Sequence, residues 1–209
     1  MSRNEQSENL WKGAVAGFVG GLAGSWAMNQ FQLAWAKLSK GSDAEYREQH
    51  NQQPESDEDA TMRMANQLLR PVLGRELTKR EKKIGGPIVH YAFGASMGAL
   101  YGTLAELSPV FRVGAGTGFG SALFVGADEI AVPLAGLSGP PTETPLKIHA
   151  YAWASHIVYG LATEMTRWGV RAALGNGSES GREAETARPR VPRRREREAR
   201  RERRGQRAA

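Results

Sequence analysis

The chain has no cysteine. That excludes structural disulfides, thiolate metal sites and thiol nucleophiles. Aromatic residues make up 8% of its 209 residues, and there are four histidines. Charge is missing from long parts of the sequence. Gly13 to Ala36 carries no formal charge, and Gly86 to Leu107 carries only Glu106. Val113 to Gly136 carries only Asp128 and Glu129, and Ile148 to Val170 carries only Glu164 and Arg167. Each stretch, as a helix rising about 1.5 Å per residue, is long enough to cross a hydrocarbon core about 30 Å thick. Lys or Glu about once per turn, expected on the outer face of a soluble helix, is absent. The competing reading is a soluble bundle with alanine-rich core helices.

The positive charge is concentrated at one end. Residues 175–209 hold twelve arginines and six glutamates, which accounts for the whole net charge of +6. Residues 1–174 are therefore neutral overall. The tail has almost no large apolar residue, so it is expected to be disordered or transiently helical. Beside a membrane its arginines would attract anionic lipid. It has no aromatic residue for base stacking, so nucleic acid is not an expected partner.

Glycine is abundant: 17 of the 25 lie in the four low-charge stretches. Gly13, Gly17 and Gly21 recur every fourth residue, as do Gly94, Gly98 and Gly102, and Gly116 and Gly120. In lipid, small residues let helix backbones approach for van der Waals contact. Gly17, Gly21, Gly94, Gly98, Gly102, Gly116, Gly120 and Gly160 are the expected packing positions. Such faces also allow a homo-oligomer. The Gly116–Gly120 run is not a dinucleotide fingerprint, because no β-branched strand precedes it. A faint internal repeat places Gly13–Phe18 beside Gly114–Phe119. The same repeat places Tyr101, Gly102 and Glu106 beside Tyr159, Gly160 and Glu164.

The link from residue 37 to 85 is polar. Met64, Leu68, Val72, Leu73 and Leu77 suit an amphipathic helix on a membrane surface or on the bundle, bent or interrupted by Pro71. Ala34-Trp35-Ala36 mimics a signal cleavage site, but the apolar run exceeds the roughly 7–15 residues of a signal h-region.

Four crossings bring both termini to one side. His90, Asp128, Glu129, His149 and His156 then gather toward the opposite side, with Asn29, Gln30 and Gln32. Glu106, Arg112, Glu164 and Arg167 lie toward the termini. His149, His156 and Arg167 share one helical stripe. An ionisable residue within a bilayer is costly and marks a functional hypothesis, and histidine titrates near physiological pH. The five residues form a candidate protonatable cluster, able to sense pH or to pass protons or a small polar solute. The plainer reading is a set of wetted helix ends. Gly94-Ala95-Ser96-Met97-Gly98 matches G-x-S-x-G, but a nucleophile elbow needs a strand before it, and none is present. No enzymatic activity, cofactor or metal site is expected.

Several features resemble the YagU-like family of small bacterial inner-membrane proteins. They are His90 with its glycine repeat, Ala105-Glu106 followed by Pro109, the run Pro133 to Leu137 leading into Pro140-Pro141, and His156 to Val158. The resemblance spans about Leu10 to Leu174. It implies a multi-pass inner-membrane protein without an established enzymatic activity, and it brings no catalytic residues. The cysteine-free first loop and the arginine-rich tail depart from the family's pattern.

The expected architecture is all-α. A short segment 1–12 precedes a four-helix transmembrane bundle over 13–174, with spans at about 13–36, 86–107, 113–136 and 148–170. The loop helix and a disordered basic tail, 175–209, complete it. Its partners are the lipid bilayer and, through the tail, anionic lipids.

Overall fold

The structure, a computed structural model, describes residues 3–38 and 58–187, with side chains for 4–38 and 58–174. The chain divides into two compact units, Met1–Arg171 and Ala172–Ala209. In the second, residues 172–187 are helical, and of the tail expected to be disordered or transiently helical, 175–187 fall in this helix. The rest of the arginine-rich tail lies outside the described residues, and so does its expected contact with lipid.

Among the described residues there are helices but no strand. Helix α1 covers Arg3–Leu38, α2 Ala60–Leu73 and α3 Lys79–Leu107. A 3-10 turn, Pro109–Arg112, leads to α4, Thr117–Leu123. A π-helical segment, Phe124–Ala131, continues into a short α5, Val132–Leu134. The last helix, α6, is Leu146–Ala187.

Local chemistry sets these boundaries. Asp59 caps α2 by accepting from the Met62 N–H at 2.9 Å, and Gly74 closes it in the left-handed conformation. Pro71 does not stop α2 but sits in its last turn. Thr78 and Glu81 form a capping box at the start of α3, which therefore begins before the low-charge stretch. Ser108, followed by Pro109, ends it. Helix α4 begins at Thr117 rather than at 113, because Gly114, Ala115 and Gly116 all have positive φ, a turn conformation. The π segment ends against Pro133, which has no N–H and whose ring crowds the carbonyl four residues back. The Val132 N–H accordingly reaches the Ala127 carbonyl, five residues back.

Backbone contact at glycine holds the bundle together. A Cβ on Gly17 would collide with the Gly98 carbonyl oxygen, one on Gly21 with that of Gly94, and one on Gly102 with that of Gly13. These contacts run antiparallel along α1 and α3. On its other flank α1 meets α6: a Cβ on Gly20 would stand 2.6 Å from the Thr163 carbonyl oxygen. Gly116 meets Gly160, and Gly120 meets the His156 carbonyl, so α4 and α6 form a second antiparallel pair. The two pairs correspond, Gly13, Gly17 and Gly102 matching Gly116, Gly120 and Gly160. The two contacts are alike in packing, but the correspondence of the first helices is shifted two residues from the alignment of Gly13–Phe18 with Gly114–Phe119.

The distribution of polarity is inverted relative to a soluble bundle. The buried stripe of α1 is Lys12, Gly13, Ala16, Gly17, Gly20, Gly21, Gly24, Ser25 and Met28, while Trp11, Val15, Phe18, Val19, Leu22 and Trp26 face outward. In α6, Ser155, His156, Tyr159, Thr163 and Arg167 are inside, and Trp153, Met165 and Trp168 are outside. Among the described residues, however, no helix is long and apolar enough to cross a membrane. Glycine and the interior polar residues lower the mean hydropathy of these helices, and the stretch 113–136 is broken into short segments.

Helix α2 packs on α3 through Met62 and Ala65, which abut Gly86 and Gly85. Arg63 and Gln67 donate to the carbonyls of Leu137 and Ala135. Its Leu68, Leu69, Val72 and Leu73 remain exposed.

Candidate functional site

The five histidine and carboxylate residues singled out above come from three elements. The π segment presents Asp128 and Glu129, α6 presents His149 and His156, and α3 presents His90. His149 Nδ1 stands 2.6 Å from Glu129 Oε1, and its Nε2 stands 3.0 Å from the Pro141 carbonyl oxygen. Both partners are acceptors once Glu129 is ionised, so this arrangement is satisfied fully by a doubly protonated ring.

His156 is differently placed. It is buried, packs against the Phe124 ring, and directs Nδ1 to the Ala152 carbonyl oxygen at 2.9 Å. Its Nδ1 is 3.8 Å from Asp128 Oδ2, too far for a hydrogen bond but close enough for an ion pair. A proton on Nδ1 leaves Nε2 as the atom that takes up a second one. His90 approaches the backbone of Ser25 and lies within electrostatic reach of Asp128, His156 and Asp59. Its Nε2 is buried with no protein partner.

The opposite end of the bundle holds a second polar network. Arg167, only 3% exposed, grips Glu164 through Nε and a terminal nitrogen at 2.6 and 2.8 Å. Its other terminal nitrogen is 3.5 Å from Glu106, and its guanidinium sits 5.9 Å from the Tyr101 ring centre. Arg171 donates to Glu106 at 3.0 Å and to Asn9 at 2.7 Å. A recess of about 240 Å³, lined by Gln6, Asn9, Leu10, Glu106 and Leu107, opens there. Arg112, expected on this side, is exposed but lies within electrostatic reach of Tyr101.

Between the two ends lie buried polar groups that the sequence analysis passed over. Tyr159 donates to the Gly94 carbonyl at 2.6 Å. Ser25 Oγ lies against Gly94, and Thr163 Oγ1 against Gly24. Tyr101 stacks on Phe119 with its hydroxyl beside Glu164. Ser25 Oγ has no protein partner, while Thr163 Oγ1 lies beside the Tyr159 hydroxyl and the Tyr101 hydroxyl beside Glu164, both short of full hydrogen-bond geometry. A buried hydroxyl left unpaired costs about 1–3 kcal/mol. The signal that would have found these residues is helical phase, since Tyr159 and Thr163 fall on the stripe joining His156 to Arg167.

Ser96, centre of the G-x-S-x-G match, is exposed in mid-helix and donates to the Ala92 carbonyl four residues back. That is ordinary helical back-bonding, and no strand enters the motif.

Fold and site together define an all-helical, glycine-packed bundle with polar clusters at its ends. Residues 75–165 match the family described as "Protein of unknown function (DUF1440)". The matched segment contains all five residues of the His/carboxylate cluster, but not α1 or Arg167. No curated protein and no solved structure matches the chain.

Proposed function

We propose that the chain is a multi-pass protein of a bacterial inner membrane, and that its His/carboxylate cluster responds to pH or passes protons or a small polar solute. One observation carries this reading: large apolar side chains cover the outside, while the inside is packed by glycine and alanine around a line of polar and charged side chains. Trp26 is 59% and Trp168 71% exposed, whereas Ser25, Ser155 and Thr163 are fully buried. A protein folded in water gains its stability by the opposite arrangement. Lipid tolerates this one, because small interior residues allow close packing and interior polar groups stay away from the hydrocarbon.

The aromatic residues support the same reading. Trp11 and Trp35 lie about 36 Å apart along α1, at 1.5 Å per residue. Trp35 clusters with Phe31 and Tyr151, at ring distances of 6.0 and 5.7 Å. Tryptophan and tyrosine favour the two membrane–water boundaries. The resemblance to YagU-like inner-membrane proteins points the same way. The arginine-rich tail favours a cytoplasmic C-terminus by the positive-inside rule, with the N-terminus on the same side. The His/carboxylate cluster then faces the periplasm.

The test is reconstitution of the full chain in liposomes, with tryptophan fluorescence followed against pH and solute or proton flux measured in parallel. Asp128→Asn, Glu129→Gln, His149→Gln and His156→Gln are compared with the original. A signal in the original that the variants lose or shift supports the proposal. Absence of both flux and a pH-dependent signal throughout contradicts it, and leaves a structural or adaptor role.

A further inference from the structure

We propose that the species passed is the proton, and that its path runs the length of the bundle from Asp128 and His156, past Ser25 and Thr163, to Glu164 and Glu106. This rests on reading the cluster as a protonatable site in a membrane. It goes beyond that reading by naming the transported species and the second half of its route.

In α6, His156, Tyr159, Thr163 and Arg167 follow at three- and four-residue spacing and are all buried, so one face of this helix is polar over three turns. Buried polar groups of the neighbouring helices continue that line. His90 precedes Gly94 by one turn of α3, and Ser25 Oγ lies against Gly94, whose carbonyl accepts from Tyr159. Thr163 is one turn further along α6, against Gly24. The Tyr101 hydroxyl comes next, beside Glu164 and its guanidinium partner. Polar groups therefore succeed one another about every turn from one end to the other. Within this line the Tyr159 hydroxyl lies beside Thr163 Oγ1, and the Tyr101 hydroxyl beside the Glu164 carboxylate.

Packing decides between a proton and a larger solute. At Gly17, Gly21, Gly98 and Gly102 the backbones of α1 and α3, and at Gly20 and Gly24 those of α1 and α6, touch so closely that a single Cβ would collide. A hydrated ion or small solute would have to part these helices. A proton need not, because each hydroxyl or water accepts one proton on a lone pair and releases another. Only O–H and N–H bonds form and break, and no electron changes hands. The charged groups facing the entrance are Asp128, Glu129, His149, His156, His90 and Asp59. At the exit, Arg167 and Arg171 are offset by Glu164 and Glu106.

The experiment uses the full chain in liposomes loaded with a pH-sensitive dye, with a potassium-diffusion potential to drive protons inward. The original is expected to acidify the lumen. Thr163→Val and Ser25→Ala are each expected to slow acidification at least tenfold, with thermal stability and the pH-dependent fluorescence of the cluster retained. Thr163→Ser, which keeps the hydroxyl, is expected to conduct like the original. If Thr163→Val and Ser25→Ala both conduct at the original rate, the path is refuted while the cluster reading stands. If the original titrates by fluorescence but does not acidify the lumen, proton passage is refuted and pH sensing stands. If it neither titrates nor conducts, both fall. Swelling of the liposomes in a small-solute gradient would refute the proton as the species passed.

Discussion

Arg167 is buried between two carboxylates on different helices, so its charge is tolerated only because Glu164 and Glu106 meet it. Removing one partner of such a pair leaves the other buried and uncompensated, at a cost of about 3–5 kcal/mol. Arg167→Met is therefore expected to lower thermal stability in detergent sharply, and Arg167→Met with Glu164→Leu to recover much of the loss. Equal stability of the single variant and the original would mean that the pair is solvated. Glu81 offers a second residue-scale test, away from the bundle interior. Its hydrogen bonds from Arg75, and then from Thr78, hold its carboxyl far below the ordinary value of 4.5. Because the folded value is the depressed one, the stability Glu81 contributes is fully present above pH 4.5 and lost as the pH falls below it. Glu81→Gln is expected to lower stability at neutral pH and to flatten that part of the acid-induced loss, measured by thermal unfolding across pH 3–7. An unchanged slope would contradict the capping account. The local pair Glu164–Arg167 was legible from its i,i+3 spacing. The contacts of Arg171 with Glu106 and Asn9 were not, because 65 and 162 residues separate the partners and no local pattern encodes them.

At the scale of elements, the helices owe their placement to glycine. Gly98 faces the Gly17 carbonyl and the Gly21 backbone, and a methyl group there must push α1 away from α3. Gly98→Ala is expected to cost at least about 1–3 kcal/mol, as overpacking does. Gly169 sits in α6 with open space where its Cβ would be. Gly169→Ala is expected to be neutral or to stabilise the helix by roughly 0.5–1 kcal/mol. Thermal unfolding of the two variants separates a packing role from a simple helix-propensity effect: equal shifts in both would contradict the glycine contacts. The fourfold glycine spacing made these faces legible, and so did the low-charge stretches that became helices. The π segment was not legible, because it arises from Pro133 acting on a helix that composition alone presents as regular. The start of α4 was misplaced for a similar reason. Three successive positive φ angles at 114–116 turn an apolar run into a reversal, and Ala115 gives no hint of it.

For the whole molecule, the net charge of +6 describes a tail rather than the bundle, and the negative mean hydropathy averages two unlike parts. Neither number reveals that polar side chains line the inside of α6 while large apolar ones face out. Helical phase along α6 would have found Tyr159 and Thr163, whereas placing Ser25 and Tyr101 beside them needs contacts between distant segments that no local pattern encodes. The central claim is that this apolar exterior is covered by lipid. The most direct measurement is alkaline carbonate extraction of membranes from cells expressing the full chain, followed by fractionation. The account predicts that the protein stays in the membrane pellet and is released only by detergent. Recovery in the soluble fraction without detergent would contradict it.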